Sequence, residues 1–245
     1  MSTARHILAL LKSHLGLKRV LTEQRQEQRL REHNLTPRRK LLLVGHPGSG
    51  KTMTAAALAG ELQLPLFTTL YDSLIGKYMG ETASRLKLIF EAMTITKGVY
   101  FFDEFDAIGT QRENTNDVGE IRRILNSFLI FLEQDQGNSL IVAATNHPNL
   151  LDKALFRRFD DVIKYNLPNT DIIRELIQVR LTTFEIGWKD WSQIIEQATG
   201  LAQAEIVKAT DEAAKQAVLS NSRTISEKSL ISAIMERKEM SINDQ

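Results

Sequence analysis

The sequence predicts an α/β protein, a parallel sheet flanked by helices, followed by a small all-helical region. Three observations carry that expectation. Between residues 40 and 165, apolar runs of strand length alternate with amphipathic stretches of helical period. One of those runs, Leu41-Leu42-Leu43-Val44, leads directly into Gly45-His46-Pro47-Gly48-Ser49-Gly50-Lys51-Thr52, a glycine-rich loop between a strand and a helix. Beyond Pro168 the strand signals stop and only helical periods follow.

The elements follow in order. An Ala-rich helix is expected from Thr52 to about Gln63, then a strand over Leu64–Leu70 and a loop holding Gly76 and Gly80. Leu86, Ile89, Phe90 and Met93 recur on one face of a helix from Glu81 to Thr94. Strand Val99-Tyr100-Phe101-Phe102 ends in acidic residues, and helix 117–133 is amphipathic. Leu140–Thr145 is a fully apolar strand, with Val162–Tyr165 a shorter last one. Alternation of this kind places helices on both faces of a parallel sheet. The stretches 170–185, 189–199, 203–220 and 226–237 read as helices separated at Gly187, Gly200 and Asn221-Ser222, and the end from Met240 to Gln245 reads as frayed. The expected division is a basic helical segment over 1–20, an α/β domain over 21–168 and a helical lid over 169–245.

The loop has the pattern G-x-x-x-x-G-K-[ST] in the context that gives it meaning. Glycines at 45, 48 and 50 let backbone N–H groups turn inward, and the following helix aims its positive dipole end at the same point. Such a P-loop binds a polyphosphate. Gly45, His46, Pro47, Gly48, Ser49, Gly50, Lys51, Thr52 and Met53 are the expected nucleotide contacts, with Lys51 reaching the β- and γ-phosphates and the Thr52 hydroxyl ligating Mg²⁺. Asp103 and Glu104 leave the strand that follows. In the P-loop arrangement the first carboxylate holds the metal and the second polarises the attacking water, and adjacent residues of a strand point to opposite faces, which fixes the two roles.

Composition excludes several alternatives. With 245 residues and 42% hydrophobic content the chain can bury a sizeable core. No apolar stretch approaches the roughly 18 residues of a membrane span, and the start lacks a secretion-signal layout, so a soluble, cytoplasmic protein is expected. The absence of cysteine removes disulfides and thiolate chemistry, and the five histidines show no ligand spacing, so any metal should arrive with the nucleotide. Net charge is +1, yet residues 1–40 hold ten Lys/Arg against three Glu. That excess fits a nucleic-acid-binding arm, or better, a solvated amphipathic helix, since Ile7-Leu8-Leu11-Leu15 and Arg25-Arg29-Glu32 recur at helical spacing.

Together these residues resemble the AAA branch of the AAA+ ATPases, over about residues 20–235. Gly45–Thr52 is similar to the Walker A element and Phe101–Glu104 to Walker B. Ala144-Thr145-Asn146-His147-Pro148 resembles the family's Thr-Asn-x-Pro segment, which implies Asn146 as the polar sensor between γ-phosphate and water. Leu151–Asp160 is similar to the second region of homology, whose arginines serve the nucleotide of a neighbouring subunit; Arg158 is the first choice for that finger, with Arg157 as companion. Lys77-Tyr78-Met79-Gly80 resembles the aromatic pore loop that grips an extended polypeptide, with Tyr78 as the gripping residue. Gly200–Ile206 resembles the lid stretch that packs on the adenine and ribose, where Ala204 keeps the small residue and Gln203 replaces the usual Gly.

The resemblance implies an ATPase using ATP and Mg²⁺, a homo-oligomeric ring expected to be a hexamer, and a polypeptide client that is unfolded, remodelled or translocated. Carrying no appended protease or second ATPase domain, the chain is expected to rely on a separately encoded protease or adaptor. The alternative is a nucleic-acid-associated loader or helicase accessory using the basic arm. It would bind DNA with a steep salt dependence and would not need the Lys77–Gly80 loop.

Overall fold

Leu41, Leu42 and Leu43 are all fully excluded from solvent, as a strand covered by helices on both faces requires. The computed structural model describes residues 15–70, 81–104, 117–151 and 153–243. These fall into two compact units. In the first, α1 (Leu15–Arg25) and α2 (Glu27–Glu32) precede β1 (Lys40–Gly45), α3 (Lys51–Leu62), β2 (Leu66–Leu70) and α4 (Glu81–Ile95). They are followed by β3 (Val99–Asp103), α5 (Asp117–Gln134), β4 (Leu140–Thr145), the short α6 (Lys153–Phe156) and β5 (Asp161–Tyr165). The described strands form a parallel sheet in the order β2-β3-β4-β1-β5, with Leu41 in register with Val142 on one side and Asp161 on the other.

Alternation along β1 assigns each residue to a face. Leu42 and Val44 join Phe90, Phe102 and Phe128 under α4 and α5, where Phe102 and Phe128 meet edge to face at 5.0 Å and 77°. Leu41 and Leu43 join Leu17 and Val20 of α1 and Ala55 and Leu58 of α3 on the other. Helix α1 therefore runs through residue 20 as one element, and its apolar stripe belongs to the core of the sheet.

One buried polar pair fastens α3 to β5. The Thr54 and Tyr165 hydroxyls lie 2.6 Å apart, and burial pushes the Tyr165 phenol from the usual value near 10 up to about 12. A folded pKa above the unfolded one means that the protonated phenol contributes stability fully below pH about 10 and loses it as pH rises to about 12. Tyr165→Phe should flatten that alkaline loss. Denaturant midpoints measured across this window check it, and an equally steep loss in the variant would contradict the assignment.

The second unit holds the loop His46–Gly50 and the chain from Asn166 onward. Its elements are α7 (Thr170–Arg180), β6 (Glu185–Ile186), α8 (Ser192–Ala198), α9 (Gln203–Leu219), β7 (Thr224–Ile225) and α10 (Glu227–Asn243). Asn169 caps α7 by accepting from the Ile172 N–H at 3.0 Å. Ile173, Leu176, Ile177, Ile206, Leu230 and Ile234 form the core, with Ala209 and Ala213 letting helices approach closely. Trp188 is buried there, edge to face with Trp191 at 5.5 Å and 75°, so both indoles serve packing.

Several sequence expectations are corrected here. The helical region also holds two two-residue strands, β6 and β7, which pair in parallel. The helix expected over 170–185 ends at Arg180, and the strand expected from Leu64 begins at Leu66 because Pro65 only offers its carbonyl to Val99 N–H at 2.9 Å. Helix α10 continues through Met240 to Asn243, and residues 244 and 245 lie outside the described residues. No described helix is long and apolar enough to cross a membrane.

Candidate nucleotide site

Strand β1 delivers Gly45 to the carboxyl edge of the sheet, and α3 starts at Lys51 six residues later. Gly48 and Gly50 hold φ of +71° and +96°, which L side chains rarely adopt, so the glycine pattern is explained by backbone shape. Lys51 is only 7% exposed, and its ammonium donates to Gly45 O and to Asn146 Oδ1, both at 2.7 Å. A buried cation beside the N-terminus of a 12-residue helix fits a polyphosphate. Lys51 is thus anchored to backbone and side-chain oxygens of the chain itself.

Thr52 Oγ1 donates to Asp103 Oδ2 at 2.9 Å, which brings the two expected metal ligands together from α3 and β3. A hydroxyl and one carboxylate are hard oxygen donors of the kind Mg²⁺ takes beside substrate phosphates. The other Asp103 oxygen accepts from the Glu104 N–H at 3.0 Å. Glu104 itself is exposed and sits at φ +54°, a left-handed backbone that costs a non-glycine residue on the order of 1 kcal/mol. At the mouth of β4, Thr145 Oγ1 accepts from the His147 N–H at 3.1 Å, shaping the turn that carries Asn146.

Within the second unit, Ala204 N–H donates to Gly48 O at 3.0 Å, and a Cβ added to Gly48 would meet the Ala204 Cβ at 2.9 Å. Ala204 thus touches the loop itself, and both residues must be small. Ser49 is buried, Met53 is half-buried, and His46 and Pro47 are exposed. Lys77, Tyr78, Met79 and Gly80 lie outside the described residues.

The arginine pair lies elsewhere. Asp160 N–H donates to Lys40 O at 2.8 Å, and Asp160 Oδ2 accepts from Lys40 N–H at 2.9 Å, so residues 157–160 lie at the amino edge of the sheet. The phosphate loop leaves the opposite edge, five residue steps along β1, or about 16 Å at about 3.3 Å per residue. Arg158 is held at that amino edge because its Nε donates to Glu133 Oε1 at 2.6 Å, and Arg157 is exposed beside it. Glu133 carries no local signal that sequence reasoning could have used.

Residues 41–167, slightly more than half the chain, match the model of the ATPase family associated with various cellular activities, AAA. The chain belongs to the AAA family. An uncharacterised AAA family ATPase, y4kL, of Sinorhizobium fredii is 34% identical over 91% of this chain and 66% of the relative. The proteasome-activating nucleotidase of Pyrococcus horikoshii is 32% identical over 89% of this chain and 59% of the relative. The ATP-dependent zinc metalloprotease FtsH of Photobacterium profundum is 34% identical over 76% of this chain and 28% of the relative. The chain therefore spans two thirds or less of the length of these AAA relatives.

Proposed function

We propose that this AAA chain hydrolyses ATP in a ring, expected to be hexameric, in which each site is completed by the neighbouring copy, and that the ring unfolds, remodels or translocates a polypeptide. One observation carries the first half: the arginine pair sits at the opposite edge of the sheet from Lys51 and Thr52 of the same subunit, with Arg158 tied down at that far edge by Glu133. Such guanidinium groups can neutralise charge at a γ-phosphoryl group only in another subunit.

Within one subunit the loop N–H groups and Lys51 bind the polyphosphate, and Thr52 and Asp103 would hold Mg²⁺. When bound, that ion neutralises charge on the β- and γ-phosphates. Glu104 polarises the attacking water, and Asn146, held through Oδ1 by Lys51, orients it against the γ-phosphate. Late in the reaction the neighbouring arginine supplies the finishing cation.

Support for a polypeptide client comes from relatives named as a proteasome-activating nucleotidase and an ATP-dependent protease, and from the Tyr78 loop in the sequence. A separately encoded protease or adaptor would then supply selectivity. A fluorescent folded client carrying an unstructured tail tests this. With ATP its fluorescence should fall, and with ADP it should persist. Steady ATP consumption without any loss of client fluorescence would remove the remodelling half.

A further inference from the structure

The Arg158–Glu133 pair separates the roles of two adjacent arginines. Glu133 lies on the last turn of α5, at a point locked to the sheet. Its neighbour Leu132 is fully buried and accepts from Lys40 Nζ, and Asp135, one residue beyond α5, pairs with Arg39. The arginine turn is anchored as firmly. Arg158 N–H donates to Leu155 O at 3.0 Å, Phe159 packs in the core at 7% exposure, and Asp160 takes the Lys40 N–H.

Two fixed backbones thus bring the Glu133 carboxylate to Arg158, while Arg157, one residue earlier, pairs with no carboxylate among the described residues. With the two side chains 30% and 53% exposed, an ion pair of this kind adds little to stability. Its effect is to hold a long, flexible side chain in one orientation.

We propose that Glu133 is a positioning residue that pins Arg158 within its own subunit, so that Arg157 is the guanidinium presented to the neighbour's nucleotide. This rests on the reading of hydrolysis between subunits given above, and it replaces the sequence-based preference for Arg158 as the finger.

The experiment measures kcat, KM for ATP and melting temperature for Arg157→Ala, Arg158→Ala, Glu133→Gln and the Glu133→Gln/Arg158→Ala double variant. Arg157→Ala should lose about 10³-fold or more in kcat. Glu133→Gln and Arg158→Ala should each lose roughly tenfold in kcat at unchanged KM, as for a misplaced group, with the melting temperature moving less than about 4 °C. The double variant should be no worse than either single one, and the charge swap Glu133→Arg/Arg158→Glu should recover most of the loss. An Arg158→Ala defect as large as that of Arg157→Ala, or a Glu133→Gln variant indistinguishable from the unmodified chain, would overturn the role of Glu133 alone. Full activity in both arginine variants would instead overturn the inter-subunit reading on which it rests.

Discussion

Replacing Arg157 and Arg158 together with alanine is expected to lower kcat by about 10³–10⁵, the effect of losing an arginine finger, while ATP still binds. The binding apparatus is untouched by this change. Lys51, its acceptors Gly45 O and Asn146 Oδ1, and the Thr52–Asp103 contact all stand at the carboxyl edge of the sheet, and the arginines stand at the amino edge. On the proposed reading, binding to the ground state uses the first set, and charge developing in the transition state needs the second. Equilibrium titration with a fluorescent nucleotide should therefore give a dissociation constant within a few-fold of the unmodified protein, and phosphate release should nearly vanish. Comparable losses in both measurements would mean that the pair supports the fold and has no part in the chemistry.

Glu104→Gln is the second large effect, an expected loss of about 10²–10⁴ in phosphate release, the usual contribution of a general base. The substitution is chosen for what it preserves. Asp103 Oδ1 accepts from the backbone N–H of residue 104, so that contact survives, and glutamine has the same shape at φ +54°. Only the ability to take a proton from water is lost. The variant should hold ATP unhydrolysed and retain its neighbours and client, visible as a larger species in the presence of ATP. Unchanged phosphate release would remove Glu104 from the mechanism.

The parts of the fold legible in the sequence are those where one physical demand acts on consecutive residues. Strands β1, β3 and β4 are buried on both faces, so Leu41–Val44, Val99–Phe102 and Leu140–Thr145 read as unbroken apolar runs. Gly48 and Gly50 could be read because positive φ selects glycine. Strands β6 and β7, two residues each, are too short for a period-2 signal. Helix α7 stops at Arg180 although Leu181–Glu185 continues an acceptable helical pattern, because Glu185 N–H turns to bond Arg223 O at 2.9 Å, a partner remote in sequence.

The site divides along the same line. Lys51, Thr52, Asp103, Glu104 and Asn146 are announced by local motifs, and the structure brings Lys51 to Asn146 and Thr52 to Asp103. The bond from Arg158 to Glu133 spans 25 positions, and the gap between the arginines and the carboxyl end of β1 follows from the register of β5 on β1. Neither leaves a mark on the linear pattern.

Mixing two inactive variants tests the central claim most directly. Subunits carrying Glu104→Gln keep their arginines, and subunits lacking both arginines keep Glu104, so each type has what the other needs. Randomly mixed in equal amounts in a closed head-to-tail ring, about a quarter of the sites would join an intact Glu104 to an intact neighbouring arginine pair. The account predicts that ATPase activity returns toward that fraction of the unmodified level. A mixture no more active than its two components would contradict it.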